Sequence, residues 1–241
     1  MFNFAFAGNQ FIDHSMPAKD IMKKKWLIYL GFFLLLLGGF YYFLFAGTDY
    51  YKARLPVLSY VQDFSFTDQD GHPFTDHQVE GKVYVTEYFF TTCKGLCPIM
   101  NEKMKGIYEE FRNEPEFAIL SHTSMPDTDS VPLLKAYEKR MLNGAINHSW
   151  HFLTGSKDSL YKIARQSYLL DNDKNNSENI KDQFIHTQFF ALVDKQKRVR
   201  GVYDALKPEE IEKLRSDIKD LLREKADPSN FNHSPFSNNP V

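Results

Sequence analysis

Cysteine is nearly absent from this chain. Cys93 and Cys97 are the only two among 241 residues, which excludes a disulfide-rich scaffold. A bond between them would close a very short loop and remove little chain entropy, so a purely stabilising disulfide is the weakest use of the pair. An excess of charge is missing too. The 29 basic side chains nearly balance the 31 acidic ones, so nothing argues for nucleic acid as a partner. No internal repeat marks the chain. Its length suits one sizeable domain with appendages, or two small domains.

Charge is wholly lacking in one stretch, Trp26–Gly47 ("WLIYLGFFLLLLGGFYYFLFAG"). A helix needs about 20 such residues to span a bilayer. Lys23, Lys24 and Lys25 precede it directly. The positive-inside tendency puts the N-terminus in the cytoplasm and everything after Gly47 outside. A cleaved signal peptide would have a shorter apolar core, about 7–15 residues; the small residues in Leu44–Gly47 leave that reading open. A buried core helix fits less well, because the run is apolar on every face. Met22 before the lysines looks like a natural start. The expected organisation is a short cytoplasmic segment or mis-assigned extension (1–21), a transmembrane anchor (22–47), a tether (48–58), a folded domain (59–226) and an Asn-, Ser- and Pro-rich disordered tail (227–241). The folded part then sits in an extracytoplasmic space where thiols can be oxidised.

Within the exported part, Val61–Thr67 alternates apolar and polar residues and reads as a strand. Asp70-Gly71 offers the positive φ of a hairpin turn. Gly81–Thr92 is rich in β-branched and aromatic residues and reads as a central strand. Glu87 is awkward there and is expected to point out of the sheet or to pair locally. After Pro98, Ile99, Met100, Met104, Ile107, Tyr108 and Phe111 recur at helical spacing. Glu116–Thr123 is a second core strand. Asp127–Met141 is a helix capped by Asp129 or Ser130, with Pro132 in its first turn. A strand at "HSWHFLTGS" and an amphipathic helix at Ser156–Leu169 follow. The polar insertion Asp171–Asp182 reads as a surface loop or hairpin tip. Gln188–Leu206 gives two strands around Asp194–Lys197, and Lys207–Lys225 is a last helix opened by Pro208. This order predicts an α/β domain with a mixed sheet and helices on both faces. The cysteines fall where a central strand gives way to a helix, a usual place for chemistry in open α/β sheets.

A cysteine near a helix N-terminus gains from the peptide dipole, and Lys94 adds a positive charge between the two. Both effects predict lowered thiol pKa values. An i,i+4 spacing on a helix would put both sulfurs on one face. That suits two ligands of one metal, and a disulfide after modest adjustment. The pair can be a structural staple, a redox couple or half of a metal site. Soft thiolates select copper(I), zinc or iron–sulfur clusters, but zinc and clusters usually want four protein ligands. A third donor is then most plausibly histidine. Among the histidines, His72, His77 and His148 lie in expected loops, His151 flanks Trp150, and His122 ends a core strand and is the runner-up. His186 stands at the head of an apolar strand ("QFIHTQFFALV"); a lone histidine is more often structural.

The stretch "FFTTCKGLCP" (Phe89–Pro98) resembles the F-x-x-T-x-C-x-x-x-C-P segment of the Sco/SenC family, thioredoxin-like copper proteins tethered to membranes and involved in cytochrome c oxidase assembly. "FSFTDQDGHPF", "SHTSMPDTDSVPLLKAY", "WHFLTG" and "IHTQFFALVDKQKRVRGVYDAL" resemble further family segments in the same order, over Phe64–Leu222. The resemblance implies a thioredoxin-like fold with Cys93, Cys97 and His186 as copper ligands for Cu(I), with Cu(II) left open. It implies a metallochaperone, not an enzyme, that delivers copper to the binuclear centre of cytochrome c oxidase subunit II. It would work from the periplasmic side of the inner membrane on a single-pass anchor. The alternative is a thiol–disulfide oxidoreductase using Cys93 and Cys97 on exported client cysteines. Two departures stand out. Lys94 replaces a frequent proline, and Met125 replaces a frequent aspartate, while Asp129 matches the retained acid.

Overall fold

The computed structural model describes residues 18–45, 55–146, 149–171, 183–185 and 187–224. The chain divides into two compact units at residues 54 and 55. The first holds helix α1 (Ala18–Phe45). Its Lys25–Phe43 stretch, of mean hydropathy 1.8, is the one helix among the described residues long and apolar enough to cross a membrane. The expected disordered tail and all but the first residue of the polar insertion lie outside the described residues.

The second unit runs β1 (Ser59–Tyr60), β2 (Ser65–Thr67), β3 (Pro73–Thr75), a 3-10 turn (Asp76–Val79), β4 (Val83–Phe89), α2 (Leu96–Phe111), β5 (Phe117–Thr123), α3 (Val131–Met141), β6 (Trp150–Leu153), α4 (Lys157–Gln166), β7 (Phe189–Val193), β8 (Arg198–Asp204) and α5 (Pro208–Arg223). Six strands form one sheet in the order β1-β8-β7-β4-β5-β6. β4, β5 and β6 are parallel, while β7 runs antiparallel to both β4 and β8. This is a thioredoxin-like fold, a mixed sheet flanked by helices. From β4 onward the predicted element order holds, with ends shortened by a few residues; before it the structure adds β1, β3 and the 3-10 turn to the one expected strand. The expected strand Val61–Thr67 does not hold as one strand. Only Ser65–Thr67 is extended into a ladder, because Val61 already donates to Lys197 O at 2.8 Å as the chain leaves the sheet edge.

The β2–β3 hairpin turns where Gly71 takes φ +81°, a conformation a Cβ disfavours. Asp68 Oδ1 accepts from the N–H groups of Asp70 and His72 and tightens that turn. Alternation along β4 sorts the core into two clusters. Val83, Val85 and Phe89 face α2, α3 and α5, packing on Met100, Met104, Ile107, Tyr137, Ile211 and Leu214. Tyr84 and Tyr88 face α4 and the hairpin, packing on Phe64, Phe66, Phe74, Tyr161 and Tyr168. Helices therefore cover both faces, as predicted. Ile99 departs from the periodic reading. It is 47% exposed, because its place on α2 turns away from the sheet that buries Cys97, Met100 and Met104.

Glu87 neither leaves the sheet nor pairs locally in sequence. It lies fully buried on the α2 face, where its Oε1 accepts from Ser121 Oγ at 2.7 Å across the β4–β5 ladder. The Ser121 hydroxyl in turn accepts from Trp150 Nε1 at 2.8 Å. Glu87 Oε2 has no hydrogen-bond partner among the described residues. Burial pushes this carboxyl up to about 7.

Candidate metal centre

β4 ends at Phe89, and α2 begins at Leu96 after Gly95, its N-cap. Cys93 therefore lies in the connecting turn, not on the helix, and the sulfurs do not share a helical face by i,i+4 spacing. Cys97 is the second residue of the helix. Pro98 follows within the first turn, where a missing N–H breaks no helical bond. Cys93 N–H donates to Phe90 O at 3.2 Å and closes the turn. The two thiols are not bonded to each other. Cys93 is half-buried and Cys97 is only 5% exposed. One sulfur can meet a partner while the other waits behind it.

The expectation of lowered thiol pKa fails at Cys97. Burial, reinforced by the Cys93 thiol, pushes it up to about 12, and a backbone hydrogen bond at Phe90 only partly opposes this. The helix terminus does not outweigh desolvation here, and Lys94 is exposed, where its charge is screened.

The histidines separate clearly. His122 is fully buried on the opposite face of the sheet, among the rings of Tyr88 (5.3 Å), Phe66 (5.3 Å), Tyr168 (5.5 Å) and Phe64 (6.5 Å). Neither ring nitrogen has a partner among the described residues, and burial pushes its pKa down to about 3. It is a core residue rather than a rim donor. His151 packs on Phe74 at 4.5 Å. His72 and His77 are exposed, and His77 Nδ1 meets Glu80 Oε1 at 2.9 Å. His148 and His186 lie outside the described residues. The residues flanking His186 are described. Phe184 sets its ring 5.4 Å from that of Phe90, three residues ahead of Cys93. Ile185 is buried, and its N–H donates to Tyr161 Oη at 3.3 Å.

Two anchors of this region make hydrogen bonds that the sequence does not announce. Asp129 is not the cap of α3; Ser130 is. Asp129 is buried and accepts from Thr91 N–H (3.2 and 3.3 Å), Thr91 Oγ1 (2.6 Å) and Thr123 Oγ1 (2.5 Å). It thereby ties the turn before Cys93 to the end of β5. The second anchor is Tyr161, whose amphipathic position on α4 announces burial but not its hydrogen bonds. Asp129 at least carried a sequence signal, as an acid beside a proline-opened helix.

A half-exposed thiol backed by a buried one, at the C-terminal edge of a mixed sheet, defines a thioredoxin-like dithiol protein. The SCO1/SenC family profile matches residues 53–223, and the chain belongs to that family. It is 28% identical to the SCO1 protein homolog of Bacillus subtilis over 166 residues, 68% of this chain and 83% of that one. It resembles the crystal structure of a SCO1/SenC family lipoprotein from Bacillus anthracis with a TM-score of 0.57 at 30% identity, over 70% of this chain and 99% of the other. It also resembles BsSco, a Sco-family cytochrome c oxidase assembly protein with a disulfide switch. There the TM-score is 0.58 at 25% identity, over 72% of this chain and 99% of the other.

Proposed function

We propose that this protein is a membrane-anchored copper metallochaperone. Copper is its cargo, held by Cys93, Cys97 and His186 and passed to the binuclear copper centre of cytochrome c oxidase subunit II. The observation that carries the reading is the meeting of two chain segments: the Cys93–Cys97 turn and the segment flanking His186, joined by the Phe90–Phe184 ring contact. The donor set fits a soft monovalent ion, since two thiolates and an imidazole suit copper(I). Three donors with Cys93 half-exposed leave a side from which a client thiolate can approach. Yeast Sco1, of the same fold, has been solved with copper bound. Helix α1 serves as the anchor. With Lys23, Lys24 and Lys25 inside, the folded domain faces the periplasm from the inner membrane.

A second reading is thiol–disulfide oxidoreductase, favoured by the exposure difference between the cysteines and by the disulfide switch of BsSco. Cys93 thiolate would attack a client disulfide, and Cys97 would then displace the client. The Cys93–Cys97 disulfide forms, and the client gains two electrons and two protons as a dithiol.

The test is copper(I) stoichiometry and affinity of the reduced full chain in detergent, against Cys93→Ser, Cys97→Ser and His186→Ala. One copper per chain, lost in both cysteine variants and weakened in His186→Ala, is expected. Unchanged affinity in His186→Ala would overturn the histidine assignment. Client reduction with no copper binding would favour the second reading.

A further inference from the structure

We infer that Tyr161 is a positioning residue, whose hydroxyl fixes the segment leading into His186 against the cysteine turn. The inference rests on His186 being the copper ligand proposed above. Tyr161 is fully buried on α4. Its oxygen lies 2.9 Å from Ser124 O, 3.2 Å from Gln183 O and 3.3 Å from Ile185 N. The hydroxyl proton can go to either carbonyl, while the oxygen accepts the Ile185 N–H. Ring packing alone would need no oxygen, and a buried hydroxyl is costly unless satisfied. This one is satisfied wholly by main-chain groups, two of them in residues 183–185, which belong to no helix or strand.

The other end of the tie reaches the cysteines. Ser124, just past β5, donates to Phe89 O from its N–H at 2.8 Å and from its hydroxyl at 3.2 Å. Phe89 ends β4, and the next residue, Phe90, accepts from Cys93 N–H. The polar route from Tyr161 through Ser124 and the apolar contact of Phe184 with Phe90 thus join the same two segments independently. Groups that orient a metal ligand from behind are commonly as important as the ligand's own placement.

The test compares the full chain in detergent with Tyr161→Phe, His186→Ala and the double variant. Tyr161→Phe keeps the ring and its packing. Copper(I) affinity, read by competition with a chromophoric chelator, should fall about 10- to 100-fold in Tyr161→Phe. The double variant should match His186→Ala alone, because the hydroxyl acts through that imidazole. Amide hydrogen exchange of the metal-free protein over residues 183–188 should speed up in Tyr161→Phe and stay unchanged in His186→Ala. Unchanged exchange in Tyr161→Phe overturns the inference. Where His186→Ala itself weakens binding, faster exchange with undiminished affinity also overturns it, as does a double variant weaker than His186→Ala. If His186→Ala binds copper as the parent does, the ligand assignment fails by itself. Faster exchange in Tyr161→Phe would then still support the positioning of the segment.

Discussion

Glu87 and His122 are buried on opposite faces of the paired strands β4 and β5. On the α2 face, Glu87 sits opposite Ser121; one step along, on the α4 face, His122 sits opposite Tyr88. The α2 face gives one oxygen of its carboxyl a hydroxyl partner. Ser121 and Trp150 form a chain of hydrogen bonds, and Asn101 Nδ2 donates to Tyr137 Oη nearby in the same cluster. On the α4 face, neither nitrogen of the imidazole has a hydrogen-bond partner among the described residues, and rings pack around it. The α2 face thus gives its buried carboxyl a hydroxyl partner, while the α4 face holds its imidazole by ring packing.

Breaking the packing beneath the polar chain should give the largest effect. Trp150 is fully buried and stacks on Phe152 at 5.2 Å. Trp150→Ala should cost about 3–5 kcal/mol of stability in denaturant unfolding. A loss of only about 1 kcal/mol, the worth of one hydrogen bond, would mean that the indole contributes no packing.

Acid should separate the two faces next. His122 has a folded pKa of about 3, below its ordinary value of 6.5. The unfolded chain therefore binds its proton first, and stability present above 6.5 is lost as pH falls toward 3. The slope is at most about 1.4 kcal/mol per pH unit. His122→Phe should remove that slope in unfolding measured across the range. Glu87 works in the opposite direction. Its folded pKa is raised from 4.5 to about 7, so its contribution is present below 4.5 and is lost as pH rises through 7. Glu87→Gln should flatten that limb and leave the His122 slope in place. Between pH 4.5 and 6.5 the two windows overlap with opposite slopes, so if both variants shifted the slope there in the same direction, the contrast between the faces would be wrong.

The smallest effect belongs at the end of α4. Leu169 is exposed with φ +58°, where a side chain is strained, and Leu170 N–H reaches back to Ala164 O at 2.9 Å to close the helix. Leu169→Gly should stabilise the fold by up to about 1 kcal/mol in thermal unfolding. A loss of stability would show that the leucine side chain matters more than its backbone.

Local pattern explains what the sequence made legible. β-branched and aromatic residues announced β4, the spacing of Met100, Met104, Ile107 and Phe111 announced α2, and Gly71 announced the hairpin. These depend on neighbours within a turn or two. What was not legible depends on partners far along the chain. Glu87 finds Ser121, Asp129 finds Thr91, and Tyr161 finds Gln183 and Ile185. No spacing rule encodes such bonds. The Cys97 thiol illustrates the same limit: a helix start and an adjacent lysine are visible in sequence, but the burial that outweighs them is not. Cys93 and Cys97 were legible as a pair, whereas their inequality in exposure emerged only from the fold.

The central claim is that two sulfurs and one imidazole nitrogen meet on a single copper ion. X-ray absorption at the copper edge of the copper(I)-loaded full chain tests it most directly. The account predicts two sulfur scatterers and one nitrogen scatterer, with the nitrogen lost in His186→Ala. Copper bound by sulfur alone in the parent chain, or a nitrogen signal that survives His186→Ala, would contradict it.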